Sequence, residues 1–237
     1  MKMLTLRATS ILEERKCSKA NFQKYLAKAS HEGIAKYWAM IDWLDITVGQ
    51  IDDYLDNNDL TKNTIVIYIC DNGWITNVNR KKGEPMYAPR TKQTPYEMGL
   101  RTPIMFKWPE HIAAKMDTAT FVSAIDLVPT ILETIGLNRT EQMRGVNLLD
   151  EKELKARTNL YAEDFSHDMK DVNRPAKTLE HQVIFQPPYK LIQPFAPNLP
   201  DAQVELYHIF NDPHEKQNLA SSKPEITKQL RESLKSY

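Results

Sequence analysis

The chain has 237 residues, of which 41% are hydrophobic and 26% charged, the composition of an ordinary globular protein. Its 31 basic and 31 acidic residues balance, which argues against a strongly basic nucleic-acid face or a polybasic membrane patch. No apolar run approaches the roughly 20 residues that a membrane-spanning helix needs. Two cysteines, Cys17 and Cys70, exclude a disulfide framework. The start, MKMLTLRATSILEERK, has no unbroken apolar segment, so we expect no signal peptide there and leave the native compartment open.

A long amphipathic helix is predicted over residues 33–57. Its apolar side chains recur in steps of three and four and so share one face: Ile34, Tyr37, Ile41, Leu44, Val48, Ile51 and Leu55. We expect Ser30 to cap the first turn, because a hydroxyl oxygen can accept a hydrogen bond from a free N–H group there. The polar run DNNDL, residues 56–60, ends the helix in a turn.

A strand, TIVIYIC, follows at residues 64–70 and is apolar on both faces, which predicts the interior of a parallel or mixed sheet. It ends at Asp71, Asn72 and Gly73. In open α/β sheets, ligands bind beyond the carboxyl ends of the strands. Carboxylate and amide oxygens suit Ca²⁺ or Mg²⁺ better than zinc or copper. Because Asp-Asn-Gly is also a common turn sequence, the local sequence leaves a metal site and a simple turn both open.

The remaining elements divide the chain into three expected parts. Residues 75–100 show no period, and a loop of that length is usually functional or disordered. A short buried strand, PIMFKWP, and a helix, DLVPTILETIG, follow it. Four short strands, NLYAED, HQVIFQ, YKLIQPF and VELYHIF, then precede a closing helix, which predicts a small antiparallel sheet with a helix packed on it. We therefore expect an unassigned segment at 1–24, an α/β core at 25–152 and a C-terminal subdomain at 153–237.

Several blocks, in chain order, resemble the sulfatases of the alkaline phosphatase superfamily. They are YWAMIDWLDITVGQIDDYL, KNTIVIYICDNG, TKQTPYEMGLRTPIMFKWP, SAIDLVPTILETIGL and the C-terminal YKLI with ELYHIFNDPHEKQNLA. The resemblance covers about residues 33–237 and implies the C-terminal half of a sulfatase domain. That fold is a partial alkaline-phosphatase-like mixed α/β sheet flanked by helices, followed by the small antiparallel sheet and helix. The implied activity is sulfuric ester hydrolysis, arylsulfatase-like, on a sulfate-ester small molecule or a sulfated glycan, with no nucleic-acid or membrane partner.

The resemblance also assigns roles to individual residues. Asp71 and Asn72 match the second pair of metal ligands, usually for Ca²⁺, with Mg²⁺ as the alternative. Lys92 matches the lysine that binds the sulfate group and supports departure of the leaving group. A cation and an ammonium aimed at charge that grows during S–O cleavage stabilise the transition state more than the ground state. Glu97 and Arg101 match family positions too, and with a spacing of four they are expected to pair and pin the loop. Trp74 is expected to line the substrate pocket or to be a wall or core residue.

The nucleophile is missing from this pattern. Sulfatases use a formylglycine made from the first residue of Cys/Ser-x-Pro/Ala-x-Arg, and neither CSKAN at Cys17 nor CDNGW at Cys70 fits. The first acidic pair, the second catalytic lysine and the histidine loops of the family are also absent; His31, His208 and His214 are expected in structural, surface or turn positions. We therefore expect a truncated, catalytically incomplete chain, with formylglycine in a missing N-terminal half. That half, or a self-associating partner, is expected to cover the unpaired apolar edge at or beside TIVIYIC.

Two other functions remain open from the sequence. A phosphodiesterase or phosphonate monoester hydrolase of the same superfamily would share the metal geometry, because phosphoryl and sulfuryl transfer need similar charge stabilisation. A non-catalytic pseudoenzyme or binding module would explain the missing nucleophile. The segment around Lys92 favours a sulfatase, and the substrate and the oligomeric state are left open.

Overall fold

The structure is a computed structural model that describes residues 2–7, 19–73, 75, 77–84 and 86–235. The chain forms two compact units. The first comprises Met1–Ala88 and Arg101–Met116, and the second comprises Pro89–Leu100 and Asp117–Tyr237. Spatial contacts define these units, whereas the boundaries expected after residues 24 and 152 rest on sequence texture and stay predictions.

The first unit contains a three-stranded mixed sheet in the order β1 (Lys2–Arg7), β2 (Thr64–Ile69), β3 (Ile104–Lys107). Strand β2 lies in the middle, parallel to β1 and antiparallel to β3. Ile65 and Ile67 on β2 are 0% and 1% exposed, which confirms the predicted interior strand. The edge expected at or beside TIVIYIC does not lie on β2, because β1, from the segment left unassigned, supplies its parallel neighbour and β3 its antiparallel one; within the described residues the edges of this sheet are β1 and β3.

Strand β3 was expected to be buried, and that expectation is wrong for one of its faces. Its residues alternate between half-buried and exposed, and Met105 is 54% exposed. The reason is position: β3 is an edge strand of the three-stranded sheet, so one face lacks the cover that β2 receives.

Two helices accompany this sheet, α1 (Lys19–Leu26) and α2 (Glu32–Asn57), and α2 confirms the predicted long helix. Its cap is His31 rather than the expected Ser30. The backbone of His31 is extended, and its Nδ1 accepts a hydrogen bond of 2.9 Å from the N–H of Gly33. A ring nitrogen thus takes the place of the expected hydroxyl, and the role of His31 is structural. Among the described residues, no helix is both long and apolar enough to cross a membrane.

The second unit is built on a four-stranded antiparallel sheet whose strands follow each other in space as in sequence: β4 (Leu160–Phe165), β5 (Leu179–Gln186), β6 (Tyr189–Pro194) and β7 (Glu205–His208). Helix α6 (Pro224–Lys235) covers one face by packing Leu230 and Leu234 on Ile184, Leu191 and Leu206. The opposite face buries a second apolar cluster of Val183, Phe185, Ile192, Tyr207 and Ile209. The predicted antiparallel sheet and closing helix are confirmed.

Three short helices complete the second unit: α3 (Glu97–Leu100), α4 (Leu127–Thr134) and α5 (Glu151–Ala156). Asp126, just before α4, is fully buried. Its carboxylate accepts hydrogen bonds from the Arg157 guanidinium at 2.7 Å and from the N–H groups of Ser123 and Val146 at 2.8 and 3.0 Å. This single charged group therefore joins the start of α4 to the segment before β4.

Removing the partner of that buried carboxylate should be costly. Arg157→Met leaves Asp126 charged and unpaired in the interior, so we expect a loss of about 3–5 kcal/mol in the free energy of unfolding. The matched control is Lys155→Met, which breaks an ion pair with Glu151 whose side chains are 77% and 73% exposed and should cost at most about 0.5 kcal/mol. Urea titration of both variants makes the measurement. Similar small losses in the two variants would show that the Asp126 pair does not hold the unit together.

Candidate active site

The predicted metal ligands lie where the central strand of the first unit ends. Strand β2 stops at Ile69, and the chain then bends through Asp71, which is exposed, and Asn72, which is half-buried. The thiol of Cys70 donates to the carbonyl oxygen of Asn72 at 3.4 Å, which is a contact within the turn. Because Arg7 of β1 pairs with Ile69 in parallel register, the two strands end at the same edge of the sheet. Asp71 and Asn72 therefore follow the carboxyl edge, the side on which α/β sheets bind ligands.

The chemistry of these donors fits part of a calcium site. A carboxylate and an amide offer the hard oxygen ligands that Ca²⁺ and Mg²⁺ prefer. Calcium takes about 6–8 oxygens, so Asp71 and Asn72 could fill only a fraction of its coordination sphere. A calcium site that included the predicted ligands Asp71 and Asn72 would need further groups to complete it.

A second group of potential ligands lies on the antiparallel sheet and was not predicted. Ligand atoms of Asp164, Glu180 and His181 all lie within 4.8 Å of one another, and His181 Nδ1 is 3.0 Å from a carboxylate oxygen of Asp164. The pairing of β4 with β5 shifts register here, so that Asp164 faces His181 while Phe165 faces Leu179. That bulge brings Glu180 beside the pair. A sequence does not reveal where the pairing of two strands shifts register, so no sequence pattern predicted this group of potential ligands.

Lys92 lies in a tightly folded loop of the second unit that runs from Arg90 to Tyr96 and is called the Lys92 loop. Its side chain is half-buried, Thr91 before it is 2% exposed, and Gln93 after it has a positive φ of 64°. The hydroxyl of Thr94 donates to the carbonyl oxygen of Thr91 at 2.6 Å. A Cβ atom on Gly99 would lie 2.5 Å from the carbonyl oxygens of Thr91 and Thr94, so the loop folds back onto α3 at a distance that only glycine allows.

The Lys92 loop ends in a buried ionic cluster of Glu97, Lys190 and Glu215. The ammonium of Lys190 is 0% exposed and lies 3.2 Å from a carboxylate oxygen of Glu97 and 2.7 Å from Oε1 of Glu215. The shorter of these contacts has ion-pair distance without hydrogen-bond geometry, so it is chiefly a charge–charge attraction. The other oxygen of Glu215 accepts the backbone N–H of Glu97 at 2.7 Å. The expected pairing of Glu97 with Arg101 is therefore wrong: the partner of Glu97 is Lys190, 93 residues away.

Arg90, at the start of the loop, also contacts Glu215, and Tyr96, near its end, contacts strand β7. The guanidinium of Arg90 donates to the carbonyl oxygen of Glu215 and lies 4.6 Å from the ring centroid of Tyr96. The hydroxyl of Tyr96 donates to Glu205 on β7 at 2.9 Å, and the hydroxyl of Tyr207 donates to the same carboxylate. The contacts of Arg90 and Tyr96 join the loop to Glu215 and to β7, while the Tyr207 hydrogen bond lies within β7.

Burial sets the protonation of these groups. Burial, reinforced by the Glu205 carboxylate, raises the pKa of Tyr96 to about 12 and also raises the pKa of Tyr207, so both hydroxyls remain donors. Burial raises the pKa of Glu215 above its ordinary value, and the neighbouring Lys190 ammonium opposes that rise. The ammonium therefore compensates for a carboxylate that the apolar surroundings disfavour in its charged form.

Several sequence-predicted residues lie elsewhere or outside the described part of the chain. Cys17 and Trp74 are not among the described residues, so the expectations for them stay predictions. His208 is half-buried on β7 with its ring edge-on to Tyr189 at 5.2 Å, and His214 is exposed in a turn. Sequence reasoning gave Lys190 and Glu215 no role, although both lie in blocks that carried the family resemblance.

Comparison with known proteins identifies the family. A family model described as sulfatase matches residues 12–137, and one described as N-sulphoglucosamine sulphohydrolase, C-terminal, matches residues 88–237. The chain belongs to the sulfatase family. The match begins at residue 12, ahead of the span 33–237 over which the motifs could be read.

Individual relatives agree with this assignment. A sulfatase of Formosa agariphila is 29% identical over 85% of this chain and 38% of its own length. An N-acetylgalactosamine-6-O-sulfatase of Bacteroides thetaiotaomicron is 28% identical over 88% of this chain and 43% of its own length. A solved Bacteroides thetaiotaomicron structure, described with the metabolism of multiple glycosaminoglycans, superposes with a TM-score of 0.69 at 23% identity over 90% of this chain and 48% of its own. These comparisons confirm the predicted fold class, and the chain spans less than half the length of each of these proteins.

Proposed function

We propose that this chain is the C-terminal part of a sulfuric ester hydrolase and that it contributes Asp71, Asn72 and Lys92 to the active site. The observation that carries the proposal is the pair of sulfatase family matches, which together run from residue 12 to residue 237. The carboxyl-edge position of Asp71 and Asn72 supports their assignment as ligands. The tightly folded loop of Lys92 supports the assignment of a fixed cationic group.

Each residue has a chemical task in this proposal. Asp71 and Asn72 hold part of a divalent cation site, for Ca²⁺ or Mg²⁺. When bound, such a cation neutralises negative charge on the sulfate group. The Lys92 ammonium binds a sulfate oxygen and stabilises the charge that grows on the leaving oxygen. Because that charge is largest in the transition state, a fixed ammonium there accelerates S–O cleavage rather than only tightening binding.

The substrate class we propose is a sulfated glycan, with smaller sulfate esters as model substrates. The Bacteroides relative is named for a sulfate on N-acetylgalactosamine, and the family model that matches residues 88–237 is named for a sulphated glucosamine. Both names concern sulfated sugars, and that shared chemistry supports the proposal for this chain.

In this proposal the nucleophile comes from outside these 237 residues. Neither cysteine has the sequence around it that formylglycine formation requires, and sulfate esters react poorly with water alone. The preceding part of a sulfatase domain, in the same gene or a separate chain, is the partner that would supply it. A phosphodiesterase or phosphonate monoester hydrolase remains the alternative from the same superfamily, and substrate preference separates it from a sulfatase.

The first prediction from this proposal concerns turnover. We expect no hydrolysis of nitrophenyl sulfate by the chain alone, and an increase of orders of magnitude when the preceding half of the domain is added in trans or fused. In the complemented enzyme, Lys92→Ala should lower turnover by about 10²–10³-fold, the usual effect of losing one charge-stabilising donor. Lys82→Ala removes an exposed lysine and is the matched control. Robust sulfate hydrolysis by the unassisted chain would contradict the incomplete-enzyme proposal, and a preference for nitrophenyl phosphate would favour the alternative.

The second prediction concerns metal binding by the chain alone. Two oxygen-bearing side chains out of about 6–8 ligands should give only weak Ca²⁺ binding, well above micromolar in dissociation constant. Asp71→Ala should abolish that binding in calorimetry, whereas Asp164→Ala, in the ligand group on the antiparallel sheet, should leave it unchanged. Sub-micromolar affinity would refute the partial site, and loss of binding only in Asp164→Ala would move the site to the other unit.

A further inference from the structure

Lys190, Glu97 and Glu215 connect three distant stretches of the chain. Lys190 lies on β6, Glu97 begins α3 at the end of the Lys92 loop, and Glu215 lies in a turn beyond β7. The contacts span 93 residues from Lys190 to Glu97 and 118 residues from Glu97 to Glu215. The cluster therefore fixes the loop to the C-terminal sheet through contacts that local structure cannot supply.

Glu215 holds both ends of the segment that carries Lys92. Its carbonyl oxygen accepts from the Arg90 guanidinium, and its carboxylate accepts the backbone N–H of Glu97. Lys92 lies between these two attachment points. Glu215 itself has a positive φ of 54°, a conformation that residues other than glycine rarely adopt. The turn thus keeps a strained backbone in the place where it can reach both ends of the loop.

Stability alone is a poor explanation for this cluster. Burying an ion costs several kcal/mol, and apolar replacements of buried ion pairs are often neutral or stabilising. Here one ammonium faces two carboxylates, and the ring of Phe185 lies 5.0 Å away. What an ion cluster provides, and an apolar contact does not, is one defined position for the groups that it joins. Tyr96 and Leu100 pack on the same face of the sheet, but apolar packing tolerates sliding more readily than paired charges do.

We infer that Lys190 is a positioning residue for Lys92: its buried ammonium, held between Glu97 and Glu215, fixes the loop that presents the Lys92 ammonium to the sulfate group. This inference rests on the proposed role of Lys92. Displacing a catalytic group by about 1 Å can cost as much as 10²-fold in rate. Loss of the Lys190 charge should therefore lower turnover although Lys190 lies too deep in the unit to meet substrate.

The first arm of the test measures amide hydrogen exchange in the 237-residue chain. In Lys190→Met, the amides of Gly99 and Leu100, which donate to the carbonyl of Tyr96, should exchange at least about tenfold faster. The amides of Val183 and Ile192 in the sheet should change little. Lys223→Met, a half-buried lysine of the same unit outside the cluster, should change neither group. No acceleration in either group, or equal acceleration in loop and sheet in a variant that still folds, would overturn the inference.

A second variant covers the case in which Lys190→Met does not fold because two carboxylates are left buried without a cation. Lys190→Met combined with Glu97→Gln and Glu215→Gln removes both charges, so the sheet should regain its protection while the loop amides still exchange faster than in the natural chain. Full protection of the loop in this neutral variant would show that the charges do not position it.

The second arm asks whether Lys190 acts through Lys92. In the complemented enzyme, with nitrophenyl sulfate, Lys190→Met should lower kcat about 10–100-fold when Lys92 is present and less than about twofold in a Lys92→Ala background. Equal losses in both backgrounds would mean a general structural role and overturn the inference, while the proposed function would stand. If the natural sequence shows no hydrolysis after complementation, the proposed function fails, and the exchange arm still decides whether Lys190 fixes the loop.

Discussion

The buried ammonium of Lys190 is the contact on which the position of the Lys92 loop depends. It lies between carboxylates from two segments that are far apart in sequence, and it reaches both from the centre of an antiparallel sheet. That sheet is packed on both faces, by α6 on one and by the apolar cluster around Val183 and Tyr207 on the other, so the strand that carries Lys190 has little freedom. The sheet thereby restrains the irregular loop that carries Lys92.

The two units hold their predicted site residues in position in different ways. A side chain that follows a central buried strand is placed by the sheet itself, and Asp71 and Asn72 are placed in this way at the end of β2. Lys92 lies in a loop, where secondary structure fixes nothing. The second unit compensates with a glycine that permits close folding, a bond from Arg90 at one end of the loop and the ionic cluster at the other. The sheet fixes the position of a side chain at a strand end, whereas long-range polar contacts fix the position of a side chain in this loop.

Sequence patterns predicted the elements whose signal is local. The period of α2, the apolar run of β2 and the strands of the antiparallel sheet were all readable because each depends on neighbours within a few residues. Local sequence does not encode strand register or long-range contacts, so it did not predict the pairing of β1 with β2, the bulge beside Glu180 or the partner of Glu97. The His31 cap is local, but it was missed because Ser, Thr, Asp and Asn are the preferred capping residues and Ser30 stands beside it. The burial and ion pairing of Lys190 were not predicted for a specific reason. In YKLIQP a lysine looks like the solvent-facing residue of an alternating strand, but both faces of this sheet are covered, so the charge had to be buried and paired.

The central claim is that this chain brings a lysine and a pair of cation ligands to a sulfate ester. A crystal structure of the complemented enzyme, grown with Ca²⁺ and inorganic sulfate, tests it most directly. We expect oxygen atoms of Asp71 and Asn72 at about 2.3–2.6 Å from the Ca²⁺ ion and the Lys92 ammonium within hydrogen-bond distance of a sulfate oxygen. Calcium bound by Asp164, Glu180 and His181 instead, or sulfate bound without Lys92, would contradict it.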